Sequence, residues 1–198
     1  MLLVQLIGLK KMDNKELYNE IYTKNNSYNH NVMYKYVEVS KFFNKLKENN
    51  SNLKILDAGC GEGWNVSKLI EEKFDVFGIE ISDVCCNNFL QNLPHKCIDI
   101  INYSKENIKY DALLCFDVLE HISYNDIDNT IKALTLLAPN ALLGVANHSD
   151  IQFGHELHLI QQEIPYWEEK LKMFYSNVKF INNLGGNFYL FECSNASI

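Results

Sequence analysis

The sequence predicts an α/β fold: a three-layer, doubly wound sheet of mostly parallel strands, preceded by two N-terminal cap helices. Three observations carry that prediction. From residue 53 onward, short apolar runs alternate with stretches of helical periodicity, the pattern of strands covered on both faces by crossover helices. The first apolar run, Leu53-Lys54-Ile55-Leu56-Asp57, leads into Ala58-Gly59-Cys60-Gly61-Glu62-Gly63. Three glycines at every second position before Trp64 make a strand, a tight turn and a helix start, a geometry that brings backbone up to a ligand. Two β-like runs then flank Leu184-Gly185-Gly186-Asn187, a hairpin-type turn that makes the last strand antiparallel to its neighbour.

Each element follows from its own pattern. Asp13 is a helix N-cap before Leu17 and Ile21, and the polar break 24–27 ends that helix. A longer helix places Val32, Tyr36, Val39, Phe43 and Leu46 on one face and stops at the Asn-rich tract 48–52. Beyond the glycine turn, 64–72 reads as a helix and 76–81 as a strand; 83–91, capped by Ser82, is again helical. A short strand at 96–98 and an apolar one at 110–116 follow, then a helix at 126–137 with Ile127, Ile131 and Leu134 inward, and a strand at 141–146. Pro165 suits the first turn of a helix bearing Trp167, Leu171 and Phe174. The closing strands lie near 178–181 and 188–193. At 198 residues this is one domain: an extension and cap helices over 1–50, a core over 52–198, and a substrate loop at about 147–164.

Composition narrows the function. An apolar share of 47% with 22% charged residues is globular rather than disordered. A net charge of −7 argues against a broad grip on nucleic acid and favours a small-molecule partner. The six cysteines (60, 85, 86, 97, 115 and 193) form no C-x-x-C pair and read as reduced, mostly buried residues of a cytoplasmic protein. The apolar start, residues 1–9, is too short to span a bilayer and lacks signal-peptide features, so translation starting at Met12 is the expectation.

The spacing G-x-G-x-G behind Asp57 differs from the dinucleotide fingerprint G-x-G-x-x-G. It resembles motif I of the class I S-adenosylmethionine (SAM) dependent methyltransferases. Glu80 closes the second strand in Gly78-Ile79-Glu80-Ile81, and Asp99 follows the third in Cys97-Ile98-Asp99-Ile100. Phe116-Asp117-Val118-Leu119-Glu120-His121 is similar to the family's fourth motif. The resemblance covers residues 52–146 and implies a seven-stranded sheet with one reversed strand. It implies that Gly59, Cys60 and Gly61 let the backbone approach the methionine and ribose portions, that Asp57 orders the loop or a water that meets the ammonium, and that Glu80, beside Ile81, accepts the ribose hydroxyls. Asp99 and Ile100 then read and wall the adenine, and Phe116 and Asp117 flank the transferable methyl.

Acceptor chemistry is less legible. An alcohol acceptor needs a base near neutral pKa, which directs attention to histidine. His148 follows the fifth strand and is the first choice, then His155 in the loop, then His121; His158 shares the loop, and Tyr28 and His30 could reach the site from the cap. No resident metal is assigned. The alternative ligand set is Asp117, Glu120 and His121, on one face of a turn; ubiquinone-pathway and small-RNA O-methyltransferases have similar segments. Phe116-Asp117-Val118-Leu119 stands where amine methylases carry N-P-P-Y. The expectation is therefore O-methylation of a small polar metabolite, such as a sugar or nucleotide-linked intermediate. The alternatives are RNA, DNA or amine N-methylation, or a catalytically silent partner subunit. A nicotinamide-dependent oxidoreductase is disfavoured by the glycine spacing.

Overall fold

The computed structural model describes residues 13–25 and 33–195. The expectations for the first residues, the Met12 start, Tyr28 and His30 lie outside the described residues. Helix α1 spans Asn14–Lys24 and α2 Met33–Lys47; β1 (Lys54–Ala58), α3 (Trp64–Glu71), β2 (Asp75–Glu80), α4 (Asp83–Phe89) and β3 (His95–Cys97) follow. Then come α5 (Ile100–Ser104), β4 (Ala112–Phe116), a 3-10 turn at Leu119–His121, α6 (Ile127–Leu137) and β5 (Asn140–Ala146). The chain continues through a small hairpin, β6 (Ile151–Gln152) and β7 (His155–Glu156), then α7 (Ile164–Lys172), β8 (Asn177–Leu184) and β9 (Phe188–Ser194).

Seven strands form one sheet in the order β3-β2-β1-β4-β5-β9-β8. β1, β2, β3, β4 and β5 pair in parallel, whereas β9 is antiparallel to both β5 and β8. The predicted sheet, its reversed last strand and the closing hairpin are all present. Alternate residues of one strand serve opposite layers. Leu113 and Cys115 of β4 pack with Leu134, Trp167 and Leu171 of α6 and α7, while Ala112 and Leu114 pack with Phe43, Leu69 and Cys86 of α2, α3 and α4. With both faces covered, β4 is buried throughout, which is why its sequence is an unbroken apolar run.

The cap helices are tied to the core by polar contacts. Asp13 caps α1 by accepting from Glu16 N–H at 2.8 Å. Asn19 Oδ1 accepts from Ser82 Oγ (2.8 Å) and from Val84 N–H (3.2 Å), docking α1 on the start of α4. Lys45 of α2 pairs with Glu192 of β9 at 2.8 Å.

Two elements were not anticipated, α5 and the β6–β7 hairpin, each too short for its period to register. The cysteine expectation needs correcting at one pair. Cys60, Cys85, Cys115 and Cys193 are free and buried, but Cys86 and Cys97 are joined as a disulfide. Packing α4 against β3 sets their Cα atoms 6.2 Å apart, a proximity that spacing along the chain does not reveal. Among the described residues no helix is long and apolar enough to cross a membrane.

Candidate active site

The C-terminal ends of β1, β2, β4 and β5 open on one edge of the sheet, and side chains from α1 and α2 reach over them. Between them lies a cavity of about 640 Å³, within the range of small-molecule sites. It is lined by all of the residues expected to hold the cofactor: Asp57, Gly59, Cys60, Gly61, Glu80, Ile81, Asp99, Ile100, Phe116 and Asp117.

The glycine turn is held from behind. Gly59 and Cys60 N–H both donate to the Ile79 carbonyl at 2.9 Å, Gly63 N–H to the Cys60 carbonyl at 2.9 Å, and Gly61 N–H to Glu80 Oε2 at 3.1 Å. The turn therefore does not offer these N–H groups to a ligand, contrary to the simplest reading of a glycine loop. It offers bare Cα positions along the cavity wall, where a ligand can approach the backbone closely. Gly59 has φ +82°, and a Cβ there would collide with Val118.

Asp57, beneath the turn, is 2% exposed, and its Oδ2 has no hydrogen-bond partner among the described residues. Burial, reinforced by the charge of Glu80, pushes its carboxyl up to about 8. Glu80 is also buried; Oε1 accepts from Ser82 N–H at 2.9 Å, and burial raises its carboxyl against the pull of its N–H donors. Two confined carboxyl groups, one with an orphaned oxygen, form a receptor for an ammonium or hydroxyl donor. Asp99 lines the cavity while capping α5, accepting from Asn102 N–H (2.8 Å) and Asn102 Nδ2 (2.6 Å). Ile98, Ile100 and Ile101 make an apolar wall beside it.

At the other end, Asp117 leaves β4 with φ 53°, a left-handed conformation uncommon outside glycine. Its carboxylate meets Lys35 of α2 at 2.5 Å, and that ammonium sits 3.7 Å from the centre of the Phe188 ring. Glu120 is fully buried; Oε1 accepts from Ala146 N–H at 2.6 Å, and Oε2 has no hydrogen-bond partner among the described residues. Burial and then the Asp117 charge hold its carboxyl well above the usual range. His121 Nδ1 lies 3.1 Å from the Leu157 carbonyl and His158 Nδ1 2.6 Å from the His148 carbonyl. A carbonyl only accepts, so both rings carry a proton on Nδ1, and a neutral His158 has its lone pair on Nε2. Burial lowers the His158 pKa, keeping the ring neutral. One ligand atom each of Glu120, His121 and His158 lies within 4.8 Å of the others.

The three histidines proposed as bases are placed differently. His121 is buried and lines the cavity. His148 lines it from an exposed position, its ring 4.7 Å from that of His158. His155 is not brought to the cavity: it is exposed in β7, on the side of Glu20. The loop folds back on itself through Glu156, which accepts from Ser149 Oγ, Asp150 N–H and His158 N–H. That fold turns His155 outward and His158 inward. The alternative metal set also changes, since Glu120 and His121 converge with His158 while Asp117 turns to Lys35. Lys35 had no signal, being one lysine in a helix rich in them, whereas His158 was visible as a second histidine three residues after His155.

Residues 28–184 match the model of a methyltransferase-domain family, and the chain belongs to it, as a class I enzyme of the SAM-dependent type. Its relatives give the next level of detail. An uncharacterised protein of Methanocaldococcus jannaschii is 27% identical over 58% of this chain and 49% of its own length. A ubiquinone biosynthesis O-methyltransferase of Coxiella burnetii is 32% identical over 34% of this chain and 32% of its own. The chain thus matches half or less of the length of these curated relatives. Among solved structures, a magnesium protoporphyrin IX methyltransferase from Synechocystis with bound S-adenosylhomocysteine has the same fold. It superposes with a TM-score of 0.67 at 18% identity, covering 93% of this chain and all of that one.

Proposed function

We propose that this methyltransferase transfers the methyl group of SAM to a hydroxyl of a small polar metabolite, such as a sugar or nucleotide-linked intermediate. The residues present fit the cofactor. The orphaned Asp57 Oδ2 suits its ammonium, Glu80 its ribose, and the Ile98–Ile100–Ile101 wall its adenine. When bound, SAM supplies an electrophilic methyl carbon on a sulfonium; the chain's own residues supply alignment and proton transfer.

The observation that carries the choice of oxygen is the Glu120–His121–His158 cluster. A hydroxyl loses a proton as it attacks, and a neutral imidazole with its lone pair on Nε2 is a suitable base at neutral pH. His158 Nδ1–H, anchored to the His148 carbonyl, fixes the ring so that Nε2 receives that proton. Glu120 and His121 stand beside that ring. An amine acceptor has no need of so elaborate a base. The O-methylating Coxiella relative points the same way.

A second reading rests on the same cluster. One carboxylate oxygen and two imidazole nitrogens within 4.8 Å suit a borderline divalent ion, and Glu120 Oε2 is a ready ligand. Such an ion, when bound, would polarise the acceptor oxygen.

The deciding experiment begins with calorimetric titration by S-adenosylhomocysteine. Micromolar binding, about −8 kcal/mol, is expected; no binding overturns the cofactor assignment. Labelled-methyl transfer to a panel of sugars, nucleotides and phenols follows, with chelator or with Mn²⁺, Mg²⁺ and Zn²⁺. Transfer to amines or RNA alone overturns the hydroxyl assignment, and activity abolished by chelator and restored by an ion selects the second reading.

A further inference from the structure

A second group of metal-ligating side chains lies outside the cavity, where α4 meets the edge strand β3. One ligand atom each of Cys86, His95 and Cys97 lies within 4.8 Å of the other two. Cys86 is on the buried face of α4, while Cys97 and His95 are on β3, the outermost strand of the sheet. His95 Nδ1 lies 2.9 Å from the Leu93 carbonyl, so Nδ1 carries the proton and Nε2 the lone pair. A backbone carbonyl holding one ring nitrogen while the other faces a metal is the usual arrangement around a ligating histidine. Cys97 is exposed, leaving room for a fourth ligand from solvent.

We propose that Cys86, His95 and Cys97, with the disulfide opened, form a binding site for Zn²⁺ or a similarly soft ion. Two thiolates and an imidazole are the donor set such ions prefer, and a water completes the tetrahedron. Bonds of about 2.3 Å to sulfur place two thiolates about 3.7 Å apart on a tetrahedron, so opening the disulfide frees the sulfurs to separate around the ion. The chemistry balances. A dithiol reductant gives two electrons and two protons to the Cys86–Cys97 bond, and the ion then displaces both thiol protons to solvent. The bonded pair is thus the oxidised, metal-free form of the same site.

The site's position gives it a consequence for the cavity. Cys97 directly precedes Ile98 and Asp99, which line the adenine end, and Cys86 Sγ lies 3.9 Å from the Glu80 carbonyl. An ion there would clamp α4 to β3 between the two carboxylates that read the cofactor.

The test uses the full chain, reduced with a phosphine, stripped of metal and titrated with Co²⁺ as a spectroscopic stand-in for Zn²⁺. The expected result is one equivalent bound with a near-ultraviolet thiolate-to-cobalt charge-transfer band, bleached by one equivalent of Zn²⁺. The Glu120–His121–His158 cluster has no thiolate and gives no such band. C97S should abolish the band and H95A should weaken Co²⁺ binding at least tenfold, both keeping the wild-type circular dichroism. No thiolate band in the reduced wild type, or an undiminished band in C97S, overturns the proposal whatever the folding of the variants.

Discussion

Lys35 Nζ lies 2.5 Å from Asp117 Oδ2 and over the Phe188 ring, which ties the cap helix α2 to the end of β4. Lys35 is 4% exposed, so losing its charge strands Asp117 beside the buried carboxyl of Glu120. Because Asp117 keeps a quarter of its side chain in solvent, the effect stays below that of a fully buried pair. Lys35→Met should destabilise the fold by roughly 1–3 kcal/mol, and Lys35→Met with Asp117→Asn by less than the sum of the single changes. Thermal unfolding of the four proteins measures this; additive losses would show that the pair is not coupled.

Glu80 holds Gly61 and Ser82 N–H, and in the proposed site it also receives the ribose. Glu80→Gln keeps the shape but places a donor amide where an acceptor stood. Binding of S-adenosylhomocysteine should weaken by about tenfold to a hundredfold, at 1.5–3 kcal/mol per charge-assisted bond. Glu80→Ala should weaken it more, since the turn also loosens. Calorimetry reads both, and unchanged affinity in Glu80→Ala would remove Glu80 from the site.

Asp57 gives cofactor binding a pH dependence. Free, its carboxyl sits at about 8 and is mostly protonated at pH 7. A bound ammonium favours the carboxylate and lowers that value, so binding releases a proton. Affinity should therefore rise with pH between 6 and 8, by up to about tenfold per unit, and level off above 8. Titrations in buffers of differing ionisation heat count the proton directly; in Asp57→Asn the release should vanish.

His158 and His148 separate base from bystander. His158→Gln should lower kcat by roughly 10²–10⁴ while leaving S-adenosylhomocysteine affinity within about twofold. His148→Ala should cost far less, because it removes the ring contact with His158 but keeps the backbone carbonyl that anchors His158 Nδ1. The reverse order of effects would return the base role to His148.

Gly59 tests the turn. Gly59→Ala meets both the positive φ and the Val118 side chain and should abolish cofactor binding. Gly59→Ala with Val118→Ala removes the collision but not the backbone strain, so it should recover stability only in part. Full recovery would mean that space alone, and not φ, requires the glycine.

Much of this protein was legible along the chain because local physics writes it there. Buried parallel strands must be continuously apolar, as 112–116 is, and a turn of positive φ between β1 and α3 must use glycine. The acids at strand ends, Asp57, Glu80 and Asp99, follow from the same topology, since the ends of parallel strands share one edge. What the sequence by itself determined is therefore the doubly wound fold and the methyltransferase class, together with the residues that line the proposed cofactor site. Only the tertiary structure decided which histidine turns inward, because Glu156 folds the loop by contacts to Ser149 and Asp150 that carry no periodic signal. It alone paired Lys35 with Asp117 across 82 residues and brought Cys86 beside Cys97, for side-chain convergence depends on how helices pack on a finished sheet rather than on spacing.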